Sequence, residues 1–366
     1  MSLNRRAFFG LAGAAGVGAL VATPSTLLIS DQVRKQAMGS AIAFYGDHQS
    51  GIASPLQDHL QLIVFKVVTK DKSELQKLFK DWTRAAERMS AGKDAGAIGA
   101  VAGLPDAPPD DTGEALDLPA ARLTITIGFG QSIFDDRFDF ASKRPADFVD
   151  LPKFANDQLH AYKNGGDLIL QICADDEQVA FHAMRNLVRI GKGVVVPQWT
   201  QSGFSGSTAS LGVSHTPRNL FGFKDGSANI NISDTQTLDQ HVWANGADWF
   251  AGGSYLAVRL TRMNIETWDR SALREQEQVF GRNKGEGAPL SGGSEMAQPD
   301  FTKKNTDGST AIAKDSHMAL AHPSKHGGAK MLRRPYSFSN GIDEVGQINA
   351  GLVFLSFQRD LENHFI

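Results

Sequence analysis

The chain has 366 residues, 41 % apolar and 21 % charged, the make-up of a globular protein with room for a large core in one or two domains. Its formal net charge of −3, with no long basic run, argues against nucleic acid as a partner. A single cysteine, Cys173, excludes an intrachain disulfide; it lies in the apolar run 168–173 and reads as a small core residue.

At the N-terminus, Asn4, Arg5, Arg6, Ala7, Phe8 and Phe9 follow the twin-arginine pattern, and a Gly/Ala-rich apolar stretch continues over 11–22. That stretch is too short and too weakly apolar for a stable membrane span. Residues 1–30 therefore read as a signal peptide, with cleavage expected between 23 and 34. Twin-arginine export moves folded proteins, which suits a chain that takes up a cofactor before crossing. A periplasmic or secreted location follows.

The rest divides into a first half, 40–200, and a second, 201–366. Residues 47–52 are polar and Gly-punctuated and read as a loop, with His48 structural. Residues 60–68 are β-branched and apolar, a buried strand. Ser73 and Gln76 have capping-box spacing, and Leu75, Leu78, Phe79, Trp82, Ala86 and Met89 then share one helical face. Residues 92–121 read as a surface excursion, 122–129 as a second strand and 167–174 as a third. Asp175, Asp176 and Glu177 put negative charge at the start of a helix that buries Val179, Ala180, Ala183, Met184, Leu187 and Val188.

The Gly/Ser/Thr-rich stretch 198–217 reads as the passage into the second half. There, 253–263 is a strand, 271–280 a helical run, 284–314 a loop-rich excursion and 348–358 a final strand, with a helix beginning at Asp360. Strand-then-helix units in both halves predict an α+β protein with two similar ferredoxin-like halves. Only residues 359–366 follow the last strand, so the closing helix is expected to be a stub that leaves sheet surface uncovered, as in a truncated or naturally short chain.

The chemistry-bearing residues gather in three stretches. Asp225 sits between Gly222 and Gly226, at the end of the apolar segment 220–223. His317, His322 and His326 follow, spaced by five and four and close to Asp315; then come Arg333 and Arg334. Histidine spacing alone leaves a zinc site open, although Pro323 and the Gly327-Gly328 pair disfavour a regular helix face and no cysteine joins them. Gly222-Phe223-Lys224-Asp225-Gly226 resembles the GxxDG signature of the dye-decolorizing heme peroxidases. The resemblance runs from about Phe44 to the C-terminus, through 44–52, Gly252-Gly253-Ser254-Tyr255, Trp268-Asp269-Arg270 and Phe280-Gly281-Arg282. It is nearest to the exported type that includes the deferrochelatase-like members of bacterial iron-uptake systems. It implies a duplicated ferredoxin-like fold, akin to a dimeric α+β barrel, with heme b in the second half.

A heme peroxidase needs an axial ligand, for which neutral imidazole serves, and a group that moves a proton between the peroxide oxygens. It also needs a positive charge where charge develops as the O–O bond breaks. His317, Asp225 and Arg333 are of matching type, and the resemblance assigns them those roles in that order. It implies further heme contacts at Gly226, Ser227 and Ala228, at His322, Pro323 and Ser324, and at Arg333. Relatives often carry arginine two positions after the proximal histidine, where this chain has Ala319; Arg334 or Arg218 is expected to take over that contact. Asp360 or Asp343 is expected to accept the second ring N–H of His317. Trp243, Trp249, Trp268 and Tyr336 either pack or relay electrons. The expected function is oxidation of dyes, phenols or similar reductants with hydrogen peroxide, by a homo-oligomer such as a dimer. The alternatives are an iron-uptake component acting on heme or ferrous iron beside permease components, and a non-catalytic heme carrier. A carrier has no use for an Asp–Arg pair.

Overall fold

The buried run Leu60, Leu62, Ile63, Val64 and Phe65 is the spine of β1 (His59–Val67), the strand on which the first half is built. The computed structural model describes residues 39–206, 216–245 and 248–366; the twin-arginine segment lies outside them. After β1 comes α1 (Lys72–Ser90), which buries Leu75, Leu78, Trp82, Ala85, Ala86 and Met89. Its cap is Asp71, whose side chain accepts from the Ser73 N–H at 2.7 Å. The Ser73–Gln76 capping box expected from spacing therefore does not form, because Asp71 is the stronger local acceptor and reaches the first turn first. Next are β2 (Thr124–Phe129), β3 (Leu168–Ala174), α2 (Glu177–Ile190) and β4 (Val195–Phe204). Trp82 Nε1 donates to the Leu187 carbonyl at 2.8 Å, which locks α1 onto α2 over the sheet.

β4 corrects the reading of 198–217 as a passage. Pro197 follows its first two valines, and Gln198, Thr200, Gln201 and Ser202 then outnumber Trp199 and Phe204, so no continuous apolar run marks the strand. Backbone pairing with β1 fixes it nonetheless, with a register shift beside Pro197.

The second half contains α3 (Thr235–His241), β5 (Tyr255–Arg262), α4 (Ile265–Trp268), α5 (Leu273–Phe280) and α6 (His317–Ala321). It closes with β6 (Leu332–Arg333), β7 (Tyr336–Ile342), β8 (Ile348–Gln358) and α7 (Leu361–His364). α7 is one turn, capped by Asp360, and buries Leu361 beside Tyr255 and Ala257. All strand pairs are antiparallel, and the path is β2-β3-β1-β4-β7-β8-β5 with β6 on β8. The halves join where Phe204 of β4 pairs with Ser337 of β7. The order β2-β3-β1-β4 with two helices is the ferredoxin-like plan, and β7-β8-β5 repeats three of its places.

β6 and β7 are one strand interrupted. Leu332 faces Phe357, Arg333 faces Ser356 and Tyr336 faces Val353, so both segments hold one register on β8. Pro335, with no N–H to give, separates them. Strand side chains alternate faces, so the adjacent arginines part company. Arg334 is buried, and its Nη2 donates to Gln57 Oε1 at 2.7 Å, clamping the second half to the first. Arg333 points to the opposite side.

Candidate active site

Residues 217–225 form a small hairpin. Arg218 and Lys224 pair as an antiparallel bridge, the Asn219 N–H donates to the Phe223 carbonyl at 2.9 Å, and the Asp225 N–H donates to the Pro217 carbonyl at 2.8 Å. Asp225 thus stands at the hairpin's base. The chain then turns sharply at Gly226, whose φ of +136° is open only to glycine. Asn229 ends the turn and acts as a strand edge for β6. Its Nδ2 donates to the Arg333 carbonyl at 2.7 Å, and its Oδ1 accepts the Arg333 N–H at 2.9 Å. With its backbone held by this pair of hydrogen bonds, Arg333 donates from Nη1 to Asp225 Oδ1 at 3.1 Å. The two side chains are 21 % and 17 % exposed, so the pair is sheltered yet open to a small reactant. Among the described residues, Asp225 Oδ2 and the remaining Arg333 N–H groups have no hydrogen-bond partner. Asn229 carries no charge and no motif role, and only the fold reveals it.

His317 is the first residue of α6. Ser316 caps that turn, accepting from the Ala319 N–H at 3.3 Å and donating to the Ala313 carbonyl at 2.7 Å. α5 ends against it at Gly281, whose φ is +75°. A Cβ there would lie 2.9 Å from Ser316 Oγ and 3.1 Å from Met318 Cβ, so only glycine lets the two helices meet this closely. The preceding Phe280 has its ring 5.8 Å from that of His317, and it stacks on Phe223 of the Asp225 hairpin at 4.0 Å. A row of rings therefore connects the aspartate's hairpin to the histidine.

His317 is itself solvent-accessible, yet the protein around it disfavours its charged form. Desolvation pushes its pKa below the ordinary histidine value, the Arg333 charge adds to this, Asp225 opposes it and Arg282 again lowers it. A neutral imidazole with a free lone pair results, the form that ligates a metal. His317 thus feels the charges of Asp225, Arg333 and Arg282 together.

Arg282 is the cation that sequence reasoning passed over. Its Nη1 donates to the Gly287 and Glu295 carbonyls at 2.6 and 2.9 Å, and burial, with Arg333 nearby, lowers its pKa although Glu295 opposes the shift. The two arginines expected to replace the one missing at Ala319 are spent elsewhere. Arg334 clamps the halves, and Arg218 ties the hairpin through the Gly222 and Lys284 carbonyls, each at 2.7 Å. Asp343 pairs with Arg262, and Asp360 caps α7 and lies 3.3 Å from His364, so neither carboxylate is set against His317. The Ser227 hydroxyl donates to Glu295 at 2.9 Å and Ala228 is exposed. His322 Nδ1 meets Ser324 Oγ at 2.9 Å, with Pro323 opening the intervening turn.

The zinc alternative fails on geometry. His326 Nε2 donates to the Leu320 carbonyl at 2.6 Å, His322 turns to Ser324, and no three His, Cys, Asp or Glu among the described residues converge as metal ligands. Of the aromatic candidates, Trp243 is buried and stacks on His48 at 3.6 Å, while Tyr336 is wholly buried. Trp268 packs on Phe280 at 5.6 Å. Trp249, half exposed, borders a cavity of about 410 Å³ that also touches Arg144, Tyr255, Arg359 and Asp360 but none of the three site residues.

The chain matches the family description "Dyp-type peroxidase, N-terminal" over residues 49–205 and "Dyp-type peroxidase, C-terminal" over 216–366. It is 37 % identical to a deferrochelatase of Escherichia coli O157:H7 over 96 % of this chain and 85 % of that protein. Against the deferrochelatase of Escherichia coli K12 the identity is 38 %, over 88 % and 77 %. Ferric DtpA from Streptomyces lividans superposes with a TM-score of 0.84 at 34 % identity, over 91 % of this chain and 87 % of that one. A DyP-type peroxidase from Cellulomonas bogoriensis gives 0.80 at 30 %, over 90 % and 87 %. Two domain matches that together span nearly all the described residues, on a fold shared with solved peroxidases, leave one conclusion: the chain belongs to the Dyp-type peroxidase family, enzymes of the heme-peroxidase class whose cofactor is heme b.

Proposed function

We propose that the protein is a peroxidase in which His317 ligates heme b and Asp225 with Arg333 receives hydrogen peroxide, the electrons coming from a dye, phenol or similar reductant. The observation that carries this is the pairing of Arg333 with Asp225 at 3.1 Å within the electrostatic reach of an accessible, neutral His317. The donor set fits the group: one imidazole to bind iron, one carboxylate and one guanidinium free on their outer atoms, and Arg282 as a second cation for the cofactor's carboxylates. Gly226, Ser227, Ala228, His322, Pro323 and Ser324 are the nearby contact positions. Bound heme supplies the two-electron oxidation chemistry that peroxide cleavage requires.

The side chains do the rest. Asp225, through Oδ2, accepts the proton from one peroxide oxygen and hands it to the other, so that water leaves. Arg333 offers its unpartnered N–H groups to the departing oxygen, where negative charge gathers, and its strand pairing keeps the guanidinium in place beforehand. Addition of one equivalent of peroxide to the heme-loaded protein should change its absorption spectrum at once, and a phenolic or dye reductant should restore it with oxidation of that reductant. An unaltered spectrum would sink the peroxidase reading.

Relatives named deferrochelatase at 37 % identity favour a second reading, release of iron from heme by the same site. Fluorescence of metal-free porphyrin, appearing on incubation with heme and a reductant, distinguishes it. Export by the twin-arginine route rests on residues 4–22. No helix among the described residues is long and apolar enough to cross a membrane. Replacing Arg5 and Arg6 by lysine should hold the precursor in the cytoplasm; normal processing of that variant would remove the location.

A further inference from the structure

One carboxylate outside the reacting groups gathers contacts from both sides of Asp225. Glu295 lies in the long excursion between α5 and α6, far from Asp225 in sequence. Its Oε1 accepts from the Thr216 hydroxyl, just before the hairpin, and from the Ser227 hydroxyl, just after it, the latter at 2.9 Å. Its Oε2 pairs with Lys224 Nζ, inside the hairpin and adjacent to Asp225. Three donors at positions 216, 224 and 227 thus converge on one side chain that is only 17 % exposed. Burial works against its charge, and the bonds from Lys224, Thr216 and Ser227 outweigh it, holding the carboxyl below its usual range.

Glu295 is anchored in turn. Its carbonyl accepts from Arg282 Nη1 at 2.9 Å, and Arg282 follows directly on the Phe280-Gly281 corner that backs His317. The wrapping loop also touches the hairpin elsewhere: Lys284 lies 5.6 Å from the centre of the Phe223 ring, and a Cβ on Gly287 would come within 2.8 Å of Lys224. A hairpin with a glycine at its tip and another directly after Asp225 has little stiffness of its own. Asn229 fixes the turn on the Arg333 side. Arg218 ties the hairpin tip to the Lys284 loop, and Glu295 is the side chain that joins its base, Thr216 and Lys224, to the turn at Ser227.

We propose that Glu295 is the positioning residue for Asp225: it closes the base of the hairpin and the following turn into one rigid unit, so that the Asp225 carboxylate keeps its aim at the reactant beside Arg333. The proposal rests on the reading of Asp225 as the proton-transfer group. Misplacement of a reacting group by about 1 Å costs on the order of 10²-fold in rate, so the effect should be large although Glu295 touches no reactant.

The test uses heme-loaded protein and hydrogen peroxide, with stopped-flow detection. Glu295→Ala should slow the peroxide reaction about 10- to 100-fold, leaving heme content and the resting spectrum unchanged because the His317 side of the site is intact. Glu295→Gln keeps an oxygen for Thr216 and Ser227 and should recover most of the loss. In an Asp225→Asn background, Glu295→Ala should slow the reaction no further. Hydrogen exchange supplies a readout apart from activity: amides of the peptide 217–229 should exchange faster in Glu295→Ala. If that variant loses heme or folds poorly, Thr216→Val removes one of the three contacts and should give a smaller slowing with the same dependence on Asp225. A slow Asp225→Asn beside a Glu295→Ala of normal rate and normal exchange would overturn the proposal, and so would equal slowing with and without Asp225. A normal rate in Asp225→Asn itself overturns the role of Asp225, a result distinct from either.

Discussion

His317→Ala should take up little or no heme. The proposed ligand role rests on an accessible imidazole at the start of a capped turn, disfavoured in its charged form by desolvation and by Arg333. Loss of residues that merely support a metal ligand costs about 10- to 100-fold in affinity, so loss of the ligand itself should cost on the order of 10²-fold or more. Heme content after reconstitution and the position of the Soret band measure it, and added imidazole should restore part of both. His326→Ala is the matched control. His326 is exposed and spends its Nε2 on the Leu320 carbonyl, so its removal should leave heme content unchanged. Full occupancy with an unshifted Soret band in His317→Ala would show that another group holds the iron.

The strands that drive the fold were legible because they are mostly apolar. β1, β3 and β8 bury side chains on both faces, and continuous apolar runs announce such strands. β4 and β7 were not legible, since Pro197 and four polar residues break up β4, and β7 follows buried Tyr336 and Phe338 with the exposed residues 339–342. That omission hid part of the junction of the halves, where the β4–β7 pairing and the Arg334 clamp border a core that Leu60 and Leu62 share with Tyr336, Phe338, Val353 and Leu355.

At the site, the residues proposed to react, His317, Asp225 and Arg333, stand out by type and motif, whereas Asn229 and Glu295, which contact their supports, do not. Asn229 and Glu295 meet partners roughly 70 to 100 positions away in the chain. Such spacing carries no periodicity and no local signal. Arg282 was quoted within Phe280-Gly281-Arg282, but only the packing of Gly281 on Ser316 and Met318 shows why that tripeptide belongs behind His317. The opposite error, assigning Arg334, Asp343 and Asp360 to the site, came from chemistry read without direction. Each has the right charge, and each is already committed on another face.

Arg333→Leu should slow the reaction with peroxide at least as much as Asp225→Asn. Losing a charge stabiliser in a dry site costs about 10²- to 10³-fold, and losing a proton shuttle about 10²- to 10⁴-fold, so magnitudes alone do not rank them. Geometry does. Both side chains are reachable, Arg333 21 % and Asp225 17 % exposed, and a water can carry the proton in place of Asp225. No water can replace a fixed positive charge, and Arg333 is fixed twice, by Asn229 and by its place on β8. Removing Arg333 also strips Asp225 of its partner at 3.1 Å, so the aspartate loses orientation as well. The two changes share that contact, and their combined effect should fall short of the product of the separate ones. Arg333→Lys keeps the charge but not the planar fork, and should lie between wild type and leucine. Stopped-flow spectra of each heme-loaded variant mixed with peroxide give the rates directly. Asp225→Asn markedly slower than Arg333→Leu would reverse the division of labour, and wild-type rates in both would show that neither residue works on peroxide.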